Sequence, residues 1–165
     1  MIRPFPALAA FAALLLAAPL AAKDSLGMFG QWGAFRDPAT PRCYAIAMAE
    51  ESRASRDYQP YASVGTWPRR EIRGQFHLRL SRKLAANAPI RLTIGERSFE
   101  LTGGGGDAWA QDRRMDAAIQ AAMRSASTMQ VRARDERGRN FTDRYSLDDA
   151  ASALDAATVG CARLR

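Results

Sequence analysis

Ile90-Arg91-Leu92-Thr93-Ile94, then Gly95-Glu96, then Arg97-Ser98-Phe99-Glu100-Leu101 is the stretch whose reading decides the fold. Apolar and polar residues alternate on both sides of a two-residue turn. A turn that opens with glycine suits the primed hairpin geometries, whose twist matches that of paired strands. The register this fixes sets Leu92 opposite Phe99 and Ile90 opposite Leu101 on one apolar face. It sets Arg91 opposite Glu100 and Thr93 opposite Ser98 on the wet face. Each such pair contributes about 0.2–1 kcal/mol, and a slip of one residue would turn every apolar side chain to water.

The same period of two runs outward from this hairpin. Upstream, Gln31–Phe35 and Cys43–Met48 read as strands joined by the turn Arg36-Asp37-Pro38-Ala39-Thr40-Pro41. The polar stretch Glu50–Gln59 reads as an exposed loop and Tyr61–Trp67 as a strand ended by Pro68. Gln75–Ser81 alternates, with Phe76, Leu78 and Leu80 inward and His77 and Arg79 outward. Downstream, Asp112 is placed to cap a helix from Arg113 to about Ala126, whose stripe Met115, Ile119, Ala122 and Met123 reads as core. Thr128–Arg134 and Asn140–Tyr145 form a second hairpin around Asp135-Glu136-Arg137-Gly138. Ser146-Leu147-Asp148-Asp149 reads as a capping box opening a last helix that buries Leu147, Ala151, Leu154 and Thr158 and stops at Gly160. The fold class expected is α+β: a mainly antiparallel sheet or sandwich with two short covering helices.

Residues 1–22 have a different character. Arg3 precedes an apolar run from Phe5 to Ala18, and small residues follow before Lys23. A positive start, a short greasy segment and a small-residue exit are the marks of a cleavable signal peptide, with cleavage expected after Ala22. The run is shorter than the roughly 20 residues a membrane span requires. Residues 23–165 are then expected to fold as a single exported β-rich domain. At 47% apolar the chain is not a disordered one, and with two cysteines it is not a disulfide-dense scaffold. Losing Arg3 with the leader takes the formal charge from +7 to +6, which outside the cytoplasm favours anionic envelope components over nucleic acid as partners.

Export changes the reading of the two thiols. In an oxidising compartment an even count reads as a bridge, here Cys43–Cys161. A redox pair would want Cys-x-x-Cys spacing, and a zinc site would want four ligands, where this segment offers two thiols and one imidazole. A structural disulfide closing so long a loop contributes about 2–4 kcal/mol.

The order of these elements resembles the invasion-associated locus B family of alphaproteobacterial exported proteins. The resemblance runs from Trp32 and Cys43 through the hairpins to the Met115–Met123 helix, Asp135-x-x-Gly138-Arg139, Ser146-Leu147 and Ala153-Leu154. Proteins of that family often carry a further cysteine pair just ahead of the first helix. Here Gly103-Gly104-Gly105-Gly106-Asp107-Ala108-Trp109 holds none, which marks a distant member. The resemblance implies an exported β-rich domain with no enzymatic assignment and no site residues to transfer.

No stretch carries a catalytic signature. Gly103–Gly106 lacks the Gly-Lys-Ser/Thr ending of a phosphate loop and meets Asp107 instead, so it reads as a flexible connector. His77 lies on a polar strand face beside Arg79 and reads as solvated rather than as a general base. Neighbouring carboxylates such as Glu50-Glu51, Asp135-Glu136 and Asp148-Asp149 point apart, so only folding could bring an acid/base pair together. Arg73, Arg79, Arg91, Arg132 and Arg134 all fall on wet strand faces and form the candidate anion-binding face. Trp32, Trp67 and Trp109 are candidate stacking surfaces beside it, while Glu71, Glu96, Glu100 and Asp143 are placed to neutralise it.

The function expected is that of an exported periplasmic, non-catalytic accessory protein of the cell envelope. It would need no cofactor or metal and would keep no membrane segment after cleavage. Its expected partner is another envelope protein or an anionic surface polymer. The alternative is a small hydrolase of polysaccharide or peptidoglycan, which would need two carboxylates about 5–10 Å apart across a cleft, one with a raised pKa.

Overall fold

A computed structural model describes residues 23–162; the expected leader, residues 1–22, lies outside the described residues. Ten strands run in chain order: β1 Asp24–Phe29, β2 Trp32–Asp37, β3 Arg42–Met48, β4 Tyr61–Trp67, β5 Ile72–Arg79, β6 Ile90–Ile94, β7 Arg97–Gly104, β8 Asp107–Trp109, β9 Thr128–Arg134 and β10 Asn140–Ser146. Two helices, α1 Arg113–Met123 and α2 Ala150–Ala162, complete the α+β architecture. All pairings are antiparallel, and the strands form one sheet in the order β1-β2-β3-β4-β5-β8-β7-β6-β9-β10.

The central hairpin takes the expected register, with Leu92 facing Phe99, Ile90 facing Leu101, Arg91 facing Glu100 and Thr93 facing Ser98. The sheet then curls. Glu50 N at the end of β3 donates to Arg144 O on β10 (2.8 Å), and Trp32 Nε1 on β2 donates to Ser146 O (2.9 Å). One face of the first five strands is thereby enclosed, and it carries Trp32, Ala34, Cys43, Ala45, Ala47, Ala62, Val64, Phe76 and Leu78, all buried. Alanines dominate the middle of this face, which lets α2 lie close against it through Ala150, Ala153, Leu154, Ala157 and Cys161. The disulfide Cys43–Cys161 joins β3 to the last turn of α2, with Cα atoms 5.5 Å apart.

Helix α1 follows its sequence signal. The Asp112 carboxylate accepts from Met115 N at 2.7 Å, and Ile119, Ala122 and Met123 are buried while Met115 is half-buried. Helix α2 does not. Ser146 Oγ accepts from Asp148 N, Asp149 sits at φ 61°, and the helix starts only at Ala150. The capping box is thus replaced by a short hydroxyl-stabilised turn, and the buried face moves from Ala151 and Thr158 to Ala150, Ala153 and Ala157. Nor does Gly160 end the helix: it lies inside the last turn, where a Cβ would collide with Leu26 of β1.

One strand was not anticipated, and one further expectation is corrected. The edge strand β1, broken by a bulge between Ser25 and Gly27, has no alternating pattern to announce it. The glycine run is no connector. Gly104 pairs with Asp107, so Gly105-Gly106 is a hairpin turn between β7 and β8, with Gly105 at φ 61°. A Cβ at Gly103 would run into Asp107 O and one at Gly106 into the Tyr58 ring. Glycine is required there by close approach of chain to chain.

Candidate anion-binding face

The five arginines do not share one surface. Strand β6 lies between β7 and β9, so Arg91 has Glu100 opposite it on one side and Arg132 opposite it on the other. Arg134 follows two residues along β9 on the same side, facing Asn140 of β10 as Arg132 faces Thr142. The segment 84–89 stands beside them, tied by the Leu84–Asp135 bridge and by Ala85 N donating to Arg134 O at 3.0 Å. The result is a shallow concavity of about 920 Å³, lined by Asn87, Arg91, Arg132, Arg134, Asn140 and Thr142 among others.

Among the described residues, none of these three guanidiniums takes part in an ion pair. Like charges directly opposite across a ladder repel, and that repulsion is relieved by a bound anion. Guanidinium forks suit carboxylate, phosphate and sulfate oxygens, which accept two parallel hydrogen bonds. Asn87, Asn140 and Thr142 add uncharged donors along the rim. Asp143, expected among the neutralising acids, is not on this surface. It faces inward with Phe141 and Tyr145 and accepts from Ser81 N at 2.9 Å.

Arg79 is occupied elsewhere. Its guanidinium pairs with Asp107 at 2.5 Å and lies 3.8 Å from the Tyr58 ring centre. The other Asp107 oxygen meets His77 Nε2 at 2.9 Å, and the imidazole stacks on Trp109 with centroids 5.1 Å apart. Tyr61 approaches the imidazole edge-on at 5.6 Å. His77 is therefore set in a cross-strand row, not free in solvent. Ser63 sits opposite it in the β4–β5 ladder, but among the described residues no hydrogen bond joins the two side chains. Sequence reading missed Asp107 and Trp109 as its partners because the glycine turn that delivers them reads as a spacer. Arg73, the fifth arginine, is exposed on β5, away from the other four, near the gap between the helices. Trp32 is fully buried, and Trp67 covers Gly65 and stands 6.0 Å from the Arg42 guanidinium.

Two carboxylates are raised above their ordinary range. Burial lifts Asp116, against a partly offsetting hydrogen bond from Phe76 N, with the Asp112 charge adding to the rise. Burial also lifts Asp143, and the bonds from Ser81 and the charges of Arg56 and Arg82 offset only part of it. Each of the two accepts a backbone amide. Asp116 thus pins α1 to β5, and Asp143 pins the segment after β5 to β10.

No family model matches the chain, and no curated protein matches it by sequence. The fold matches a crystal structure of invasion associated protein B from Bartonella henselae, with a TM-score of 0.60 and 14% identity over 84% of this chain and 96% of that one. At that identity the likeness is one of fold.

Proposed function

We propose that this chain is an exported, non-catalytic accessory protein of the bacterial envelope, and that it holds an anionic envelope component on the Arg91–Arg132–Arg134 face. Its fold, shared with invasion associated protein B, supports that reading, as does the Cys43–Cys161 bridge, since such bridges persist in oxidising compartments. Among the described residues no helix is long and apolar enough to cross a membrane. The observation that carries the reading is the cross-strand arginine couple with a third arginine beside it, none of them paired with a carboxylate among the described residues. A concavity where two guanidiniums face each other, with a third beside them and only Glu100 across from one, is a good polyanion seat.

The test is titration with polygalacturonate, a carboxylated polymer, at several salt concentrations. Replacing Arg91, Arg132 and Arg134 together by Gln should weaken binding about tenfold or more and flatten its salt dependence. A control removing the exposed Arg113, Arg114 and Arg137 should change it much less. Equal losses in both variants would reduce the effect to net charge and overturn the reading. Turnover of peptidoglycan or polysaccharide by the wild-type chain would overturn its non-catalytic part.

A further inference from the structure

Helices α1 and α2 are joined at one end by the Arg124–Asp155 ion pair (2.7 Å), and between them a groove is left over β4 and β5. The groove measures about 590 Å³, inside the range of about 300–1,000 Å³ usual for small-molecule sites. Its floor is apolar: Val64, Leu154, Ala157 and the disulfide sulfur of Cys161, which lies 3.7 Å from Thr66 O. Its α1 wall is Gln120, fixed in place because Nε2 donates to Gly74 O at 2.9 Å and to Asp116 O at 3.3 Å. Gly74 has φ 64°, and a Cβ there would overlap the Gln120 amide, so the wall can stand only where β5 carries a glycine.

The mouth has the opposite character. The 3-10 turn Pro68–Arg70 follows β4, and Arg69 stands at the rim with Arg73 of β5. Both are exposed, and among the described residues neither takes part in an ion pair. Among the described residues no acidic one lines the groove. A dry floor with two guanidiniums at one end is complementary to a molecule with a hydrocarbon tail and an acidic head.

We infer that the groove between α1 and α2 binds a single-chain anionic lipid, its acyl tail over Val64, Leu154 and Cys161 and its acidic head at Arg69 and Arg73. The tail supplies apolar burial and the head accepts charge-assisted hydrogen bonds, so each half strengthens what the other can hold. This site is separate from the Arg91 face, and either can fail without the other.

The probe is laurate, followed by amide chemical shifts in the full mature chain with its disulfide intact. Laurate should perturb Thr66, Gly74, Gln120 and Thr158, and inorganic phosphate alone should perturb them far less. Charge reversal at the mouth, Arg69→Glu with Arg73→Glu, should weaken laurate about tenfold or more. Thr158→Trp, at an exposed position on the groove wall, should weaken both laurate and its uncharged methyl ester. The Arg variant should leave the ester's binding unchanged. Shifts confined to the Arg91 face would overturn the assignment, as would laurate binding that ignores both variants. Binding of a peptide with an apolar C-terminus where laurate fails to bind would also overturn it, assigning the groove to a protein chain.

Discussion

Asp143 and Asp135 are both buried, yet they respond to acid with opposite sign. Asp143 is raised, chiefly by burial, so the folded chain binds its proton more tightly than the unfolded chain does. Its contribution to stability therefore falls as pH climbs from the unfolded value of about 4 through the folded one. Burial works to raise Asp135 as well, but the backbone and side-chain hydrogen bonds of Arg139, its charge and the Arg137 amide outweigh burial and hold it low. That contribution is complete above about pH 4 and is lost as pH falls through the folded value. Urea unfolding across this range checks both signs. Asp143→Asn keeps an acceptor for Ser81 N, stays within about 1 kcal/mol of wild type, and gains on it as pH rises. Asp143→Ala leaves that buried amide unpaired and costs about 1–3 kcal/mol. Asp135→Asn is less stable than wild type at neutral pH and converges with it in acid. Parity with Phe141 and Tyr145 already places Asp143 on the inner face, and only its charge argues for the wet one; what the local pattern does not encode is the amide that receives it there, on a segment 62 positions away.

Strands and helices were legible where a local pattern and a local stop agreed. The β6–β7 register follows from one turn and its flanking alternation, and α1 follows from Asp112 and an apolar stripe. Helix α2 misled because alanines surround its axis, so several faces read as buried and only the flat alanine surface of β2–β4 selects among them. The arginine couple was half legible. Alternation places Arg91 and Arg132 on wet faces, but their adjacency depends on β6 pairing with β9, which no local signal encodes. The glycine turn offers a direct test at this scale. Gly103→Ala should cost about 1–3 kcal/mol and release β8, parting Trp109 from the His77 ring, which a loss of ring-current shift on the two side chains reads. At Gly104 no atom lies within 4 Å of an added Cβ, so Gly104→Ala should cost far less. Equal, small effects at both would restore the connector reading.

Over the whole molecule, the bridge from β3 to α2 is the longest covalent constraint among the described residues, spanning 118 positions. Replacing both Cys43 and Cys161 by Ala should lower stability by about 2–4 kcal/mol, read as a lower urea midpoint that reductant no longer shifts. An unchanged midpoint would mean that burial under α2 alone fixes the helix. The helix that roofs β1–β4 also follows all ten strands in chain order, so it is made after the surface it covers. Until α2 is made, the alanine surface of β2–β4 has no cover and the interior it lines stays incomplete. Closure of the β1–β4 interior thereby waits on a segment made after every strand it completes.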